Sequence, residues 1–262
     1  MEKFSFVSFG KGLPHIAFVT GIHGDEQIFP DLQDVFKKIN LAKGMVSVIL
    51  AHTDAAEKNV RFVESDLNRS FPGKRNGTLE ERIAHKLIQT FNNVDCLIDF
   101  HSFHYDSPPF AVMTGISKKE IKLASIIGLK ENVIMTGRGV SFVEQVKLGI
   151  GVELGVVNDP KRKQRALRVI RNVLSSFEMI SEDRKVKLQQ NYYTAEEKTR
   201  VSNSFVLSPT IKNFKYVKKG TVLGIENGKN VVVAEGFYPI LLKTNGYKDV
   251  LCRNGKKVSI TS

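Results

Sequence analysis

Four polar side chains stand directly behind or inside short apolar runs. His23 and Glu26 belong to Gly21-Ile-His-Gly-Asp-Glu26, which follows His15-Ile-Ala-Phe-Val-Thr20; His101 closes Leu97-Ile-Asp-Phe-His101; Glu153 falls within Gly149-Ile-Gly-Val-Glu-Leu-Gly155. Two histidines and one carboxylate make the ligand set of a catalytic zinc, with a fourth position left for water. The other carboxylate is then available as a general base. Each fragment is weak alone, because a histidine at a strand end is more often a satisfied structural residue and His-x-x-Glu is a common pattern. Glu153 carries more weight, since an ionised carboxylate among apolar neighbours is costly without a cation or hydrogen bonds to compensate it.

A second polar group lies in Asn59-Val-Arg-Phe-Val-Glu-Ser-Asp-Leu-Asn-Arg-Ser-Phe-Pro-Gly73, which brings Arg61, Asp66, Asn68 and Arg69 into one loop-like stretch. Guanidinium groups bind carboxylates through two parallel hydrogen bonds and can carry charge that develops on a carbonyl oxygen. Taken alone, the stretch reads equally well as a basic surface loop.

The elements that must position these groups alternate in type. Short apolar runs at His15–Thr20, Met45–Ala51, Cys96–Phe100, Phe110–Thr114, Asn132–Thr136 and Gly149–Leu154 read as strands, several too uniformly apolar to be half exposed. Between them, helical spacing marks Glu26–Ile39, the capping box Thr78-Leu-Glu-Glu81 opens a helix through Phe91, Lys118–Leu129 forms a third, and Asp159-Pro160 starts a fourth. This alternation predicts an α/β fold with a mixed, largely parallel sheet flanked by helices. The pattern changes after about Val186: Lys187–Ser204 is polar and irregular, and from Phe205 onward short β-type runs separated by Asn-Gly turns predict a small β-rich C-terminal domain, so the expected division is 1–190 and 191–262. In open sheets of this class, ligands gather beyond the carboxyl ends of the strands, which is where His23 and His101 fall.

Composition narrows the setting. With 262 residues, 42% hydrophobic and 25% charged, the chain is neither disordered nor fibrous in character. No secretory signal pattern and no apolar stretch approaching the ~20 residues of a membrane span is evident, and two well-separated cysteines argue against a disulfide framework, so a cytoplasmic location away from membranes is expected. The net charge of +12 raises the prospect of an anionic partner, and much of it lies in Lys161–Arg171. There Leu167, Ile170, Leu174 and Phe177 mark an apolar face and the basic residues occupy the rest, the pattern of a solvated helix surface rather than a nucleic-acid footprint.

In their order and intervals, Gly21–Glu26, Arg61 with Asp66-Leu-Asn-Arg69, Asp99-Phe-His101 and Val152-Glu-Leu-Gly155 resemble the succinylglutamate desuccinylase and aspartoacylase family of zinc-dependent deacylases, which is related in fold to the zinc carboxypeptidases. The resemblance implies one Zn2+ per chain held by His23, Glu26 and His101, with Glu153 as the general base. It implies that Arg61 polarises the scissile carbonyl and that Asn68 and Arg69 hold the substrate's free carboxylate. Asp66 is expected either behind His23 or as a cap and ion-pair partner of the arginines. Arg138 is a candidate for a second substrate carboxylate, Tyr238 either lines the pocket or packs, His104 is read as a loop residue, and Asp25 is expected to point away from the ion. One departure stands out: the family commonly has Gly-Asn-Pro after the second strand, where this chain has Ala51-His-Thr-Asp-Ala55. The expected activity is hydrolysis of an N-acyl amino acid, with a carboxypeptidase acting on short peptides as the alternative and a non-catalytic basic binding protein as the remote one. A homo-oligomer is compatible with the sequence.

Overall fold

The computed structural model describes residues 3–136, 139–182, 188–195, 197–242 and 249–260. Its strands are β1 (Ser5–Lys11), β2 (His15–Thr20), β3 (Gly44–Leu50), β4 (Cys96–Phe103), β5 (Phe110–Met113), β6 (Glu131–Ile134), β7 (Gly149–Val156), β8 (Asn191–Thr194), β9 (Lys198–Arg200), β10 (Val206–Leu207), β11 (Val222–Glu226), β12 (Lys229–Val232), β13 (Tyr238–Ile240) and β14 (Val250–Val258). The helices are α1 (Phe29–Phe36), α2 (Thr53–Glu57), α3 (Leu79–Phe91), α4 (Lys118–Ile127) and α5 (Arg162–Ser176). Among the described residues no helix is long and apolar enough to cross a membrane.

The main sheet runs β1-β3-β2-β4-β7-β5-β6-β8-β14-β13, with β9 paired to β14. Its centre is parallel: β3, β2, β4 and β7 run side by side in one direction, and β5 joins β7 antiparallel. The expected mixed, largely parallel sheet is therefore present, and the C-terminal strands are there too. Part of that region extends the main sheet through β8 and β14, while β10, β11 and β12 form a small antiparallel sheet of their own.

Alternation along the central strands sorts side chains to two faces. Ile16, Phe18, Cys96, Ile98, Phe100, Ile150 and Val152 pack with α1, α4 and α5 into one core cluster. Ala17, Val19 and Leu97 turn the other way and pack with Ile83, Leu87 and Phe91 of α3. This second face is the same one to which Asp99, His101 and Glu153 point, each an even number of residues from Leu97 or out of phase with Ile150 and Val152. Capping of α3 follows the sequence: Glu81 N–H donates to Thr78 Oγ1 at 3.3 Å and Thr78 N–H to Glu81 Oε2 at 2.9 Å.

Three features differ from expectation. The helix expected from Glu26 starts at Phe29, and Gly24–Glu26 forms a separate 3-10 turn. The polar stretch after Lys187, read as irregular, contains β8 and β9, whose pairing with buried neighbours overrides weak local strand preference. β1 was also not expected; it is an edge strand, exposed along most of its length, so its pattern carries no continuous apolar run.

Candidate metal and catalytic site

His23 and Glu26 follow β2, His101 lies near the end of β4, and Glu153 is the register partner of His101 on β7. Three adjacent parallel strands thus deliver the four groups to one end of the sheet. The 3-10 turn that carries Glu26 is pressed against α2. A Cβ on Gly24 would lie 2.1 Å from the carbonyl carbon of Ala55, so only glycine allows this approach. Gly24 N–H also donates to Arg61 O at 3.3 Å, tying the turn to the 59–73 loop.

The three expected ligands converge. Nδ1 of His23 stands 3.0 Å from Glu26 Oε1, and Nδ1 of His101 stands 3.0 Å from Glu26 Oε2. One donor atom from each of the three lies within 4.8 Å of the others, and all three side chains are buried. The far nitrogen of each ring meets a carboxylate: His23 Nε2 is 3.2 Å from Asp66 Oδ1, and His101 Nε2 is 2.9 Å from Asp99 Oδ2. A carboxylate behind a ligand histidine fixes the ring and leaves the inner nitrogen's lone pair facing the site. The arrangement has the chemistry of a divalent-cation site of two imidazoles and one carboxylate.

Its electrostatics call for positive charge at the centre. Burial works to lower the pKa of both rings, but Glu26 and Asp66 outweigh it at His23, and Asp99 and Glu26 outweigh it strongly at His101, so both are raised. Burial opposes ionisation of Glu26 too, yet the two imidazoles hold it well below the usual carboxylate range. A divalent cation would satisfy the same carboxylates that otherwise hold these rings charged.

The 59–73 loop folds over this centre. Arg61 Nη1 donates to Glu26 Oε1 at 3.3 Å and Nη2 to Asp66 Oδ2 at 3.2 Å. Asp66 Oδ1 also accepts from Asn68 N–H at 2.9 Å, capping the 3-10 turn Leu67–Arg69. Asp66 thus contacts the His23 ring, the Arg61 guanidinium and the Asn68 N–H with one carboxylate. Asn68 and Arg69 line the same cavity as the three candidate ligands and Glu153.

Glu153 opens onto that cavity, and its Oε2 finds no hydrogen-bond partner among the described residues. Burial pushes its pKa up to about 7, with the charge of Glu26 adding to the rise and His101, His23 and Arg61 opposing it. Arg138 lies outside the described residues. Tyr238 packs against the rings of Tyr193 and Tyr216, each 5.1 Å away between centroids. His104 Nε2 meets Asp25 Oδ2 at 3.0 Å, so Asp25 turns to this loop histidine instead of the three-ligand group.

Sequence reasoning left Asp99 without a role, although its position two residues before His101 on a strand puts it on the same face. It also missed Arg162. That residue was assigned to a solvated basic face, but it is buried and donates from Nη2 to Glu26 O at 2.6 Å. Other cations of α5 are engaged as well, Lys163 with Asp31 at 2.8 Å and Arg165 with Asp159 at 2.6 Å. Lys198 of β9 and Arg253 of β14 line the cavity from the C-terminal region, a contribution that no local motif announces.

The fold is shared with solved structures. A succinylglutamate desuccinylase/aspartoacylase from Rhodobacter sphaeroides matches with 20% identity and a TM-score of 0.78, covering 97% of this chain and 89% of the other. Murine aminoacylase 3 matches with 16% identity and a TM-score of 0.76, covering 95% and 96%. The ectoine utilization protein EutE (DoeB) from Ruegeria pomeroyi, in a product-bound structure, matches with 20% identity and a TM-score of 0.74, covering 96% and 88%. No curated protein sequence matches the chain. The sequence profile of the succinylglutamate desuccinylase/aspartoacylase catalytic domain matches residues 13–177, more than half of the chain and the stretch that holds His23, Glu26, Arg61, His101 and Glu153, and the protein belongs to that family.

Proposed function

We propose that this protein is a zinc-dependent amidohydrolase that removes the acyl group from an N-acyl amino acid. The observation that carries the reading is the convergence of His23 Nδ1 and His101 Nδ1 on the two oxygens of Glu26, each ring backed by a carboxylate. Membership of a deacylase family and the shared fold of aminoacylase 3 support it.

His23, Glu26 and His101 would hold one zinc ion. When bound, zinc supplies Lewis acidity, lowering the pKa of water and polarising a carbonyl. Glu153 accepts the proton of the attacking water and returns it to the amide nitrogen as the C–N bond breaks, leaving a carboxylic acid and a free amine. Glu153 faces the cavity with Oε2 free of hydrogen-bond partners among the described residues, which leaves that oxygen open to take and return the proton. Arg61, held between Glu26 and Asp66, carries the charge that develops on the carbonyl oxygen. Asn68 and Arg69 orient the substrate through its free carboxylate, and Arg138 is the candidate for a second one. Asp66 and Asp99 fix the ligand rings.

A hydrolysis screen tests the reading: N-acetyl and N-succinyl amino acids against a panel of dipeptides, with and without chelator, on wild type and Glu153→Gln. Zinc in the purified protein, hydrolysis of an acyl amino acid, and loss of that hydrolysis in the variant are the expected results. Dipeptides cleaved in preference would make the protein a carboxypeptidase. Equal behaviour of wild type and variant on every substrate would remove Glu153 from its role.

A further inference from the structure

The stretch that departs from the family pattern, Ala51-His-Thr-Asp-Ala55, places His52 at the N-cap of α2, fully buried. Its Nδ1 accepts from Ala55 N–H at 3.3 Å, which leaves Nε2 as the protonated nitrogen, and Nε2 stands 3.1 Å from Glu80 Oε1. Glu80, in the first turn of α3, is also fully buried. Its Oε1 accepts in addition from Val63 N–H and Glu64 N–H, both at 2.9 Å, and its Oε2 from Ser65 Oγ at 3.4 Å. Burial would raise the pKa of Glu80, but the Glu64 N–H, the His52 ring and the Val63 N–H outweigh it, and the carboxylate stays ionised.

A buried charge surrounded by donors is not replaceable by apolar packing without cost, since each donor left unpaired incurs its own desolvation penalty. Three of the donors on Glu80 belong to consecutive residues, 63 to 65, directly between Arg61 and Asp66. At the other end of the same segment, Val60 N–H donates to Ala55 O at 3.0 Å and Asp25 N–H to Val60 O at 3.1 Å, within reach of the helix that His52 caps. The loop is thus clamped on both sides of Arg61, which touches Glu26, and the second clamp ends directly before Asp66, which touches His23.

We infer that the buried His52–Glu80 pair is a positioning device: by holding the backbone of residues 63 to 65 it sets Arg61 and Asp66 against the metal ligands. His52 and Glu80 are positioning residues, since neither touches the cavity. The inference rests on the deacylase reading for its effect on turnover, but not for its effect on zinc affinity.

Two double-mutant cycles test it on the zinc-loaded and zinc-titrated full chain. In the first, Glu80→Ala lowers kcat on an N-acyl amino acid by about 10- to 100-fold with a smaller change in KM, and adds little further loss when combined with Arg61→Ala. In the second, read by chelator competition, Glu80→Ala weakens zinc binding about 10-fold, and the loss overlaps with that of Asp66→Asn instead of adding to it. Glu80→Gln keeps one carbonyl oxygen for the Val63 and Glu64 N–H groups and shows the same pattern at smaller amplitude, which carries the test if Glu80→Ala does not fold. Full additivity in both cycles, or unchanged kcat and zinc affinity in folded Glu80 variants, overturns the inference while leaving the deacylase reading intact. Overlap in the zinc cycle with no amide hydrolysed by wild type sustains the positioning role and overturns the deacylase reading alone.

Discussion

Asp99 and His101 lie two residues apart on β4, both buried on one face of the sheet, with Oδ2 and Nε2 2.9 Å apart. That spacing converts a strand's period into a tautomer: a proton shared with Asp99 at Nε2 leaves Nδ1, 3.0 Å from Glu26, as the donor to a metal. Asp99→Ala should therefore weaken zinc binding by about 10- to 100-fold, read by competition with a chromophoric chelator. Glu153→Gln, outside the ligand set, should leave the affinity near that of wild type. Similar affinities in Asp99→Ala and wild type would mean that Asp99 does not orient the ring.

Glu153 should reveal itself in zinc-free protein through pH. Its pKa is raised from the ordinary 4.5 to about 7 in the folded state, so between those values the folded chain holds a proton that the unfolded chain has released. Stability contributed by this group is fully present below about 4.5 and lost as pH rises towards about 7. Glu153→Gln lacks that loss. The melting temperatures of the two apo-proteins should thus agree near pH 4.5 and diverge above it, the variant becoming the more stable by at most about 3 kcal/mol. A constant difference across the range would count against a raised pKa at Glu153.

Arg61 bridges two carboxylates of the candidate site, with Nη1 on Glu26 and Nη2 on Asp66. Losing a preorganised donor to a developing oxyanion typically costs on the order of 3 kcal/mol, so Arg61→Ala should lower kcat/KM about 100-fold or more. Lysine offers one compact charge in place of a fork and cannot span both carboxylates, so Arg61→Lys should recover little. Recovery to near wild-type kcat/KM in the lysine variant would show that only charge is needed there.

Legibility of the fold followed burial. The central strands β2, β4 and β7 were visible because both faces are covered and the apolar run is continuous, and the capping box of α3 was visible because it is local. β1, exposed on an edge, and β8, paired within the sheet beside a polar stretch, carry no such signal. In the site, His23, Glu26 and His101 were legible from type and position behind strands. Their supports were not: Arg162 reaches Glu26 O across 136 positions of sequence, and Glu80 meets residues 63 to 65 only once α3 packs over the loop. A basic helix pattern and a first-turn acid have ordinary local explanations, and only tertiary contact distinguishes these cases from those.

The two glycines that flank His23 should fail in different ways. Gly21 has φ +71 and an added Cβ would meet Leu50 Cδ1 at 2.5 Å, the tip of a side chain that can move. Gly21→Ala should cost about 1 to 2 kcal/mol of stability, from the left-handed backbone, with zinc affinity largely kept in the folded fraction. Gly24 faces backbone instead, the Ala55 carbonyl carbon at 2.1 Å and Ala56 N at 2.3 Å, and α2 cannot yield without displacing its own hydrogen bonds. Gly24→Ala should push the 3-10 turn off α2 and carry Glu26 away from His23 and His101, so zinc affinity should fall by more than the 10-fold typical of a lost supporting contact. Thermal melts with and without zinc separate the two: zinc should still raise the melting temperature of Gly21→Ala, and should raise that of Gly24→Ala far less. An equal zinc-dependent rise in both variants would mean that the turn carrying Glu26 can shift without disturbing the ligand geometry.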